Sequence, residues 1–321
     1  MNAELPIEAN HLTKVYGELR AVDDISLRVE PGDVYGYLGP NGAGKTTSLR
    51  MLLGLIRPTD GGARLFGRDP QSEGASALTG VAGFVEAPRF YPYLTGRANL
   101  ELVAAFDGGD ASSLIDSSLD IVDLSDRAKD KVGGYSHGMR QRLGIAGALI
   151  RRPRLLLLDE PATGLDPAGM RDMRALIRRL ADDGMTVLLS SHLMDEVQDL
   201  CNRVGIVQRG RLIYEGTISD LLATAAGRYR LQSTDDDRAA ARAGRQRGLR
   251  DVRRTPAGVE LIAADASSIE ALSLALARDG IALRALVPVA ATLEELFFAL
   301  TEGDGLPVES PNGSHPQLEV V

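Results

Sequence analysis

Few stretches constrain a chain as tightly as Gly39-Pro40-Asn41-Gly42-Ala43-Gly44-Lys45-Thr46, a GxxxxGK[ST] pattern set between an apolar run, Val34 to Leu38, and a helix-like run, Thr47 to Leu55. The order it demands is strand, loop, helix. Gly39, Gly42 and Gly44 free the backbone to bend until successive amide N–H groups converge on an anion, and the helix that follows starts with N–H groups that have no partner within it. Such a loop is a phosphate cradle. Pro40, Asn41, Ala43 and Thr47 complete its frame, Lys45 reaches the β and γ phosphates of a nucleotide, and the Thr46 hydroxyl ligates Mg²⁺.

A second signal lies at Leu155-Leu156-Leu157-Leu158-Asp159-Glu160. Four consecutive leucines describe a strand buried on both faces, and ligand crevices in open parallel sheets lie at the C-terminal ends of strands. Two carboxylates there suit a metal and a nucleotide and make little sense as core. Asp159 is then the metal partner of Thr46, and Glu160 is placed to polarise an attacking water. The apolar run Thr186 to Ser190 leads to Ser191 and His192 at the same edge, where a histidine can meet the γ-phosphate.

The remaining elements follow from periodicity and punctuation. Ile7 to Pro31 alternates as antiparallel strands around Val22, Ile25, Leu27 and Val29; Pro58 to Gly62 reads as a turn before a strand, Ala63 to Phe66; Val81 to Val85 is another strand. Helical pattern runs from Thr95 to about Phe106, breaks at Asp107 to Asp110, and resumes from Ser112 to Val122. Tyr135-Ser136-His137-Gly138 opens a helix to about Ile150, with Ser136 as N-cap and Gly138 permitting close backbone approach. Pro161 to Asp166 is a turn ending at the N-cap of a helix through Leu180. The segment Glu86-Ala87-Pro88-Arg89-Phe90-Tyr91-Pro92-Tyr93 is too rich in proline and aromatics for a helix, and its stiff aromatic loop reads as a contact surface. Tyr16, beside Gly17, is either a core aromatic or a platform for a base, and periodicity leaves both open.

With 321 residues, 44% of them hydrophobic, the chain can build two cores. A formal charge of -8 argues against a nucleic-acid partner, and the basic cluster Arg238 to Arg254 reads as a solvated helix face beside Asp235, Asp236 and Asp237. The single cysteine, Cys201, forms no internal disulfide and fits a reducing compartment. The acidic start, Glu4 and Glu8, does not read as a secretory signal, and no run approaches the about 18 apolar residues that span a bilayer. A cytoplasmic protein without direct membrane insertion is expected.

Taken in order, these motifs resemble the nucleotide-binding subunit of an ABC transporter, over about Ile7 to Leu222. The resemblance implies that Tyr16 stacks on adenine, that Gly39 to Thr46 is the Walker A loop, and that Tyr135 to Met139 stands where such proteins carry LSGGQ, with Ser136 and Gly138 on the γ-phosphate. Leu155 to Asp159 is then Walker B, Glu160 the catalytic glutamate, Pro161 to Asp166 the D-loop and His192 the switch histidine. It further implies ATP and Mg²⁺ as ligands, a head-to-tail homodimer of ATPase subunits, and a separate integral-membrane permease that holds the protein at the cytoplasmic face of the membrane. Two departures stand out. His137 and Met139 replace the first glycine and the glutamine of LSGGQ, which should leave phosphate contact in place while changing its strength or its pH response. Glu86 stands where many members carry a glutamine near the metal, and as a carboxylate it is expected to join the Mg²⁺ ligands. The loop Glu86 to Pro92 is similar to that of bacitracin- and lantibiotic-type exporters, which implies ATP-driven export of a drug, antibiotic or lipid-like compound.

Past Thr217 the pattern changes. A helix near Ile218 to Ala226 is followed by strand (Tyr229 to Gln232), helix (Asp237 to Gln246), two strands (Arg250 to Arg254, Gly258 to Ala263), helix (Ser267 to Ala277), strand (Ile281 to Leu286) and a closing helix, Leu293 to Leu300. The expected organisation is an α/β P-loop NTPase domain with a helical subdomain over 1–222, a small βαββαβ-like α+β domain over 223–301, and a Gly, Pro and Ser-bearing tail over 302–321 that reads as disordered. The rival reading is the ATPase of an amino-acid importer whose C-terminal domain senses the nutrient.

Overall fold

A computed structural model of the chain describes residues 4–107, 110–224, 227–289 and 292–302, and these fall into two compact units, the first reaching Ile218 and the second beginning at Ser219. The tail from residue 303, and parts of the expected helical break at 107–110 and linking helix at 218–226, lie outside the described residues.

The first unit opens with β1 (Ile7–Tyr16) and β2 (Leu19–Val29), an antiparallel pair whose inward residues Ile7, Leu12, Val22, Ile25, Leu27 and Val29 are buried in the core. β3 (Val34–Leu38) is buried along its whole length, as its apolar run requires, and feeds the glycine loop into α1 (Lys45–Leu52). The helix is shorter than the apolar pattern through Leu55 suggests. Gly54 takes φ +70°, its N–H donates to Met51 O at 3.0 Å and Leu55 N–H donates to Arg50 O at 2.8 Å, the paired bonds of a Schellman stop. β4 (Asp60–Arg64) starts earlier than Ala63, because pairing with β1 draws the two glycines of the expected turn into the strand. Gly61, at φ +70°, faces a bulge in β1, where His11 and Leu12 stand against this one residue.

A short helix, α2 (Pro70–Glu73), leads to β5 (Val81–Phe84), and the proline-rich loop from Glu86 to Leu94 is irregular, as its composition dictates. α3 (Gly96–Asp107), α4 (Ile115–Ile121) and α5 (His137–Leu149) then form a helical layer; Ser136 caps α5, its Oγ accepting from Met139 N–H at 3.2 Å. β6 (Leu155–Asp159) carries four leucines with no exposed surface. α6 (Pro167–Asp182) begins at Asp166, whose carboxylate accepts from Gly169 N–H at 3.1 Å, and β7 (Thr186–Ser191), α7 (Met194–Leu200), β8 (Arg203–Gln208) and β9 (Arg211–Thr217) follow, with α8 (Ile218–Ala223) starting at the boundary and belonging otherwise to the second unit.

The strands assemble as β2-β1-β4, antiparallel, and as β5-β6-β7-β3-β8-β9, parallel except for the β8–β9 hairpin at its edge. β3, β7 and β6 are therefore neighbours, with Leu38 opposite Ser191 and Asp159 opposite Ser190. That register brings the glycine loop, the acidic strand end and His192 to one rim of the sheet.

The second unit is a four-stranded antiparallel sheet in the order β11-β12-β10-β13, built from β10 (Arg228–Ser233), α9 (Asp236–Ala243), β11 (Leu249–Thr255), β12 (Gly258–Ala263), α10 (Ala266–Arg278) and β13 (Leu283–Pro288), with α11 (Leu293–Glu302) after it. Leu231, Val259 and Leu261 of the sheet pack with Ala239, Leu272 and Leu276 of the helices. The arginine cluster is divided: Arg238 and Arg242 lie on α9 while Arg250, Arg253 and Arg254 lie on β11, so only part of it is a helix face.

Candidate functional site

The glycine loop is shaped by close approach from two sides. Gly44 sits at φ +103°, and a Cβ added there would lie 2.4 Å from Ala21 O; one added at Gly39 would lie 2.4 Å from Val207 O. Side chains at these points would push the loop out of its cradle. The loop is also tied down through its backbone, since Gly210 N–H donates to Ala43 O at 3.1 Å and Gly39 N–H to Ser191 O at 3.3 Å. Pro40, Asn41 and Gly42 stay exposed at its mouth.

Lys45 turns its ammonium into this loop, donating to Gly39 O at 2.6 Å and Pro40 O at 3.3 Å, with only 6% of the residue exposed. Its Nζ also lies 3.1 Å from Glu160 Oε1. Thr46 Oγ1 donates to Asp159 Oδ2 at 2.9 Å, and Asp159 Oδ1 accepts from Ser190 Oγ at 2.5 Å. Glu160 stands at φ +51°, a left-handed conformation stabilised by its N–H donating to Ser190 Oγ at 3.0 Å. Its Oε2 accepts from Thr163 Oγ1 at 2.8 Å and from His192 Nδ1 at 2.7 Å. Burial acts to raise the Glu160 carboxyl, but the Thr163 hydroxyl, the Lys45 ammonium and the His192 contact outweigh it and hold the group below the usual carboxylate range.

Five residues picked from sequence thus gather in two contacting sets, Lys45–Glu160–His192 and Thr46–Asp159, which Ser190 links through its hydroxyl. Others are placed differently. The Glu86 N–H donates to Asp159 Oδ2 at 3.2 Å, yet the Glu86 carboxylate is held by Arg50, Oε1 to Nη2 at 2.6 Å, rather than by Thr46 or Asp159. An arginine one helical turn beyond the loop competes for that carboxylate. Tyr16 is 48% exposed at the end of β1, with Lys14 Nζ 5.1 Å from its ring centroid, so it is not a core aromatic. Thr47 lies on the first turn of α1, partly covered. Ser136 and Gly138 lie at the start of α5, and the structure brings neither to Lys45.

Ser190 and Thr163 belong to the site and were not singled out from sequence. Neither carries a motif-specific signal, although the register of an apolar strand ending beside Asp159 points to Ser190. The β8–β9 hairpin, which buttresses the glycine loop, was missed as well. Its signal was the apolar run Val204 to Val207 followed by Arg209-Gly210, which both take positive φ in a two-residue turn.

The residues fit a nucleotide with a divalent cation. The cradle excludes a Cβ at two points, and Thr46 and Asp159 form a pair of hard oxygen donors of the kind Mg²⁺ takes while leaving other positions to phosphate and water. A glycine loop between β3 and α1, facing an acidic strand end two strands away, defines a P-loop NTPase. The ABC transporter family model matches residues 22–163. The bacitracin transport ATP-binding protein BcrA of Bacillus licheniformis is 46% identical over 210 residues, 65% of this chain and 69% of that one. The daunorubicin/doxorubicin resistance ATP-binding protein DrrA of Streptomyces peucetius is 40% identical over 218 residues, 67% of this chain and 66% of that one. Among solved structures, the dimeric post-hydrolysis state of the ATP-binding cassette MJ0796 bound to ADP and Pi aligns with a TM-score of 0.59 at 25% identity, over 66% of this chain and 98% of that chain. The chain belongs to the ABC transporter family, as an ATP-binding and ATP-hydrolysing subunit.

Proposed function

We propose that this subunit hydrolyses ATP to drive export of a drug, antibiotic or lipid-like compound through a separate membrane permease, and that Glu160 is its catalytic base. The observation that carries the reading is the convergence of Lys45, Thr46, Asp159, Glu160 and His192 at one rim of the sheet. Lys45 exchanges its carbonyl and carboxylate partners for β- and γ-phosphate oxygens, and the amides of Gly42 to Thr47 share the anion. Thr46 and Asp159 would hold Mg²⁺, which when bound neutralises charge on the β and γ oxygens. Glu160, kept ionised by its neighbours, orients a water and takes its proton. Its carboxylate accepts from His192 Nδ1, and a hydrogen bond from the other ring nitrogen to a γ-phosphate oxygen requires that Nε2 carry a proton as well. Little covalent chemistry falls to the protein in phosphoryl transfer, so this positioning and electrostatics supply most of the rate.

Ser136 and Gly138 are read as serving the nucleotide of a second copy in a head-to-tail dimer, since they stand apart from Lys45 on their own chain. Tyr16 is read as the adenine platform, consistent with its exposure. The membrane-facing lever is the loop from Glu86 to Thr95. One end reaches Asp159 through the Glu86 N–H, Pro88 packs so tightly on α5 that a Cβ at Gly144 would lie 2.5 Å from its Cγ, and Tyr91 and Tyr93 stand 54% and 65% exposed with ring centroids 5.7 Å apart. No helix among the described residues is long and apolar enough to cross a membrane. Export rather than nutrient uptake is favoured by the names of the relatives, bacitracin transport and daunorubicin resistance.

The second unit is read as an accessory domain with a structural or dimer-bracing role. It has a cavity lined by residues that include Arg230, Gln232 and Val287, where the Arg230 guanidinium is held by Glu260 at 2.9 Å. The decisive experiment is Glu160→Gln. With Mg-ATP this variant should accumulate a stable dimer that does not turn over, and normal turnover would refute the assignment.

A further inference from the structure

One contact joins the start of α5 to the catalytic centre of the same subunit. His137, the residue standing in place of a signature glycine, places Nε2 3.1 Å from the carbonyl oxygen of Thr163. Its ring also lies beside Gly164, where an added Cβ would be 3.5 Å from Nε2. Thr163 in turn donates its hydroxyl to Glu160 Oε2 at 2.8 Å, and its N–H to Glu160 O at 3.1 Å. We propose that His137 and Thr163 are positioning residues for ATP hydrolysis, His137 fixing the 161–166 turn so that the Thr163 hydroxyl holds the Glu160 carboxylate in its working orientation.

Without these bonds the Glu160 side chain has three rotatable torsions and, on this oxygen, only His192 to hold it. Thr163 is exposed in a turn rich in small residues, and its N–H bond to Glu160 O holds only one side of its backbone, leaving the carbonyl side to be anchored. His137 provides that anchor from the first turn of a thirteen-residue helix. The chemistry of the bond also fixes its proton. A carbonyl oxygen only accepts, so Nε2 carries the hydrogen in the neutral and in the charged ring alike, and the anchor persists across pH.

This inference rests on Glu160 being the base, and the test separates the two. Steady-state ATP hydrolysis by the full chain is measured with Mg-ATP for wild type, His137→Ala, His137→Gln, Thr163→Val, Thr163→Ser, the His137→Ala/Thr163→Val double variant and Glu160→Gln, with folding checked by circular dichroism. Loss of one ordering hydrogen bond should lower kcat about tenfold in His137→Ala and Thr163→Val, with KM for ATP changed less than about twofold. Gln, whose Nε2 reaches as far as that of histidine, should restore most of kcat at position 137, and Ser should do so at 163. His137→Gln should leave the pH profile of kcat unshifted. Because His137 acts through Thr163, the double variant should lose no more than Thr163→Val alone. Wild-type kcat in both single variants, a change confined to KM, failure of Gln to restore kcat, or fully additive losses would overturn the proposal while Glu160→Gln remained inactive. Full turnover by Glu160→Gln would instead remove the reading on which it stands.

Discussion

Glu196 lies on α7, four residues after His192, and is only 3% exposed. Its Oε2 accepts from Ser191 Oγ at 2.8 Å, and that hydroxyl oxygen accepts from Leu193 N–H at 3.0 Å, so Glu196 braces the turn carrying His192. Its Oε1 has no hydrogen-bond partner among the described residues. Burial pushes the carboxyl above the usual range; the Ser191 bond opposes this without offsetting it, the charge of Glu160 adds to the rise, and Arg174 and His192 act against it. A folded-state pKa above the unfolded one means the folded protein binds the proton more tightly. The contribution of Glu196 to stability is thus fully present below the unfolded pKa, about 4.3, and is lost as pH rises through the folded value. Glu196→Gln keeps an acceptor for Ser191 and has no charge to bury. Leaving a buried charged acceptor unsatisfied costs about 1–3 kcal/mol, and in a unit of this size each kcal/mol moves Tm by about 2–4 °C. The variant should therefore melt about 2–12 °C above wild type near pH 8 and within about 1 °C of it near pH 4. Calorimetric melts of both proteins at matched ionic strength across that range decide the matter. A difference that does not depend on pH, or a variant less stable than wild type at the alkaline end, would refute the reasoning.

Two further predictions concern the loop that begins at Glu86. Glu86→Gln breaks an exposed ion pair with Arg50, so stability should change by less than about 1 kcal/mol and ATP should still bind, as a filter-binding or fluorescent-nucleotide titration would show; a complete loss of binding would contradict the placement of Glu86 outside the Thr46–Asp159 pair. Gly144→Ala forces a methyl against Pro88 and should cost about 1–3 kcal/mol by denaturant melt. It should also reduce permease-stimulated hydrolysis far more than basal hydrolysis, and equal loss of both rates would argue that Pro88 plays no part in the lever.

How much of this was legible beforehand varied with the kind of force at work. β3, β6 and β7 could be read because strands covered on both faces must be continuously apolar, and because a carboxylate at the end of such a strand has no place in a core. The stop of α1 was misread since Leu53 and Leu55 continue the apolar pattern, whereas the backbone ends the helix at Gly54, and nothing in hydrophobicity reports a Schellman turn. β4 was shifted because its membership depends on β1, a partner fifty residues away, rather than on its own glycines. The Glu86 carboxylate illustrates the same limit within the site. Its residue type suited a metal, yet Arg50 on the neighbouring helix decides where it points.

The hairpin that follows β8 has a consequence for how fast the protein can capture its fuel. Asp23 N–H donates to Gly210 O at 2.8 Å and Gly210 N–H donates to Ala43 O, so the turn staples the antiparallel sheet to the phosphate loop. A segment so fixed gives up little chain entropy when a triphosphate arrives, and the free energy of association is not consumed in ordering it. Capture of the nucleotide should accordingly proceed as an encounter with a preformed receptor, leaving slower rearrangements to the steps that come after it.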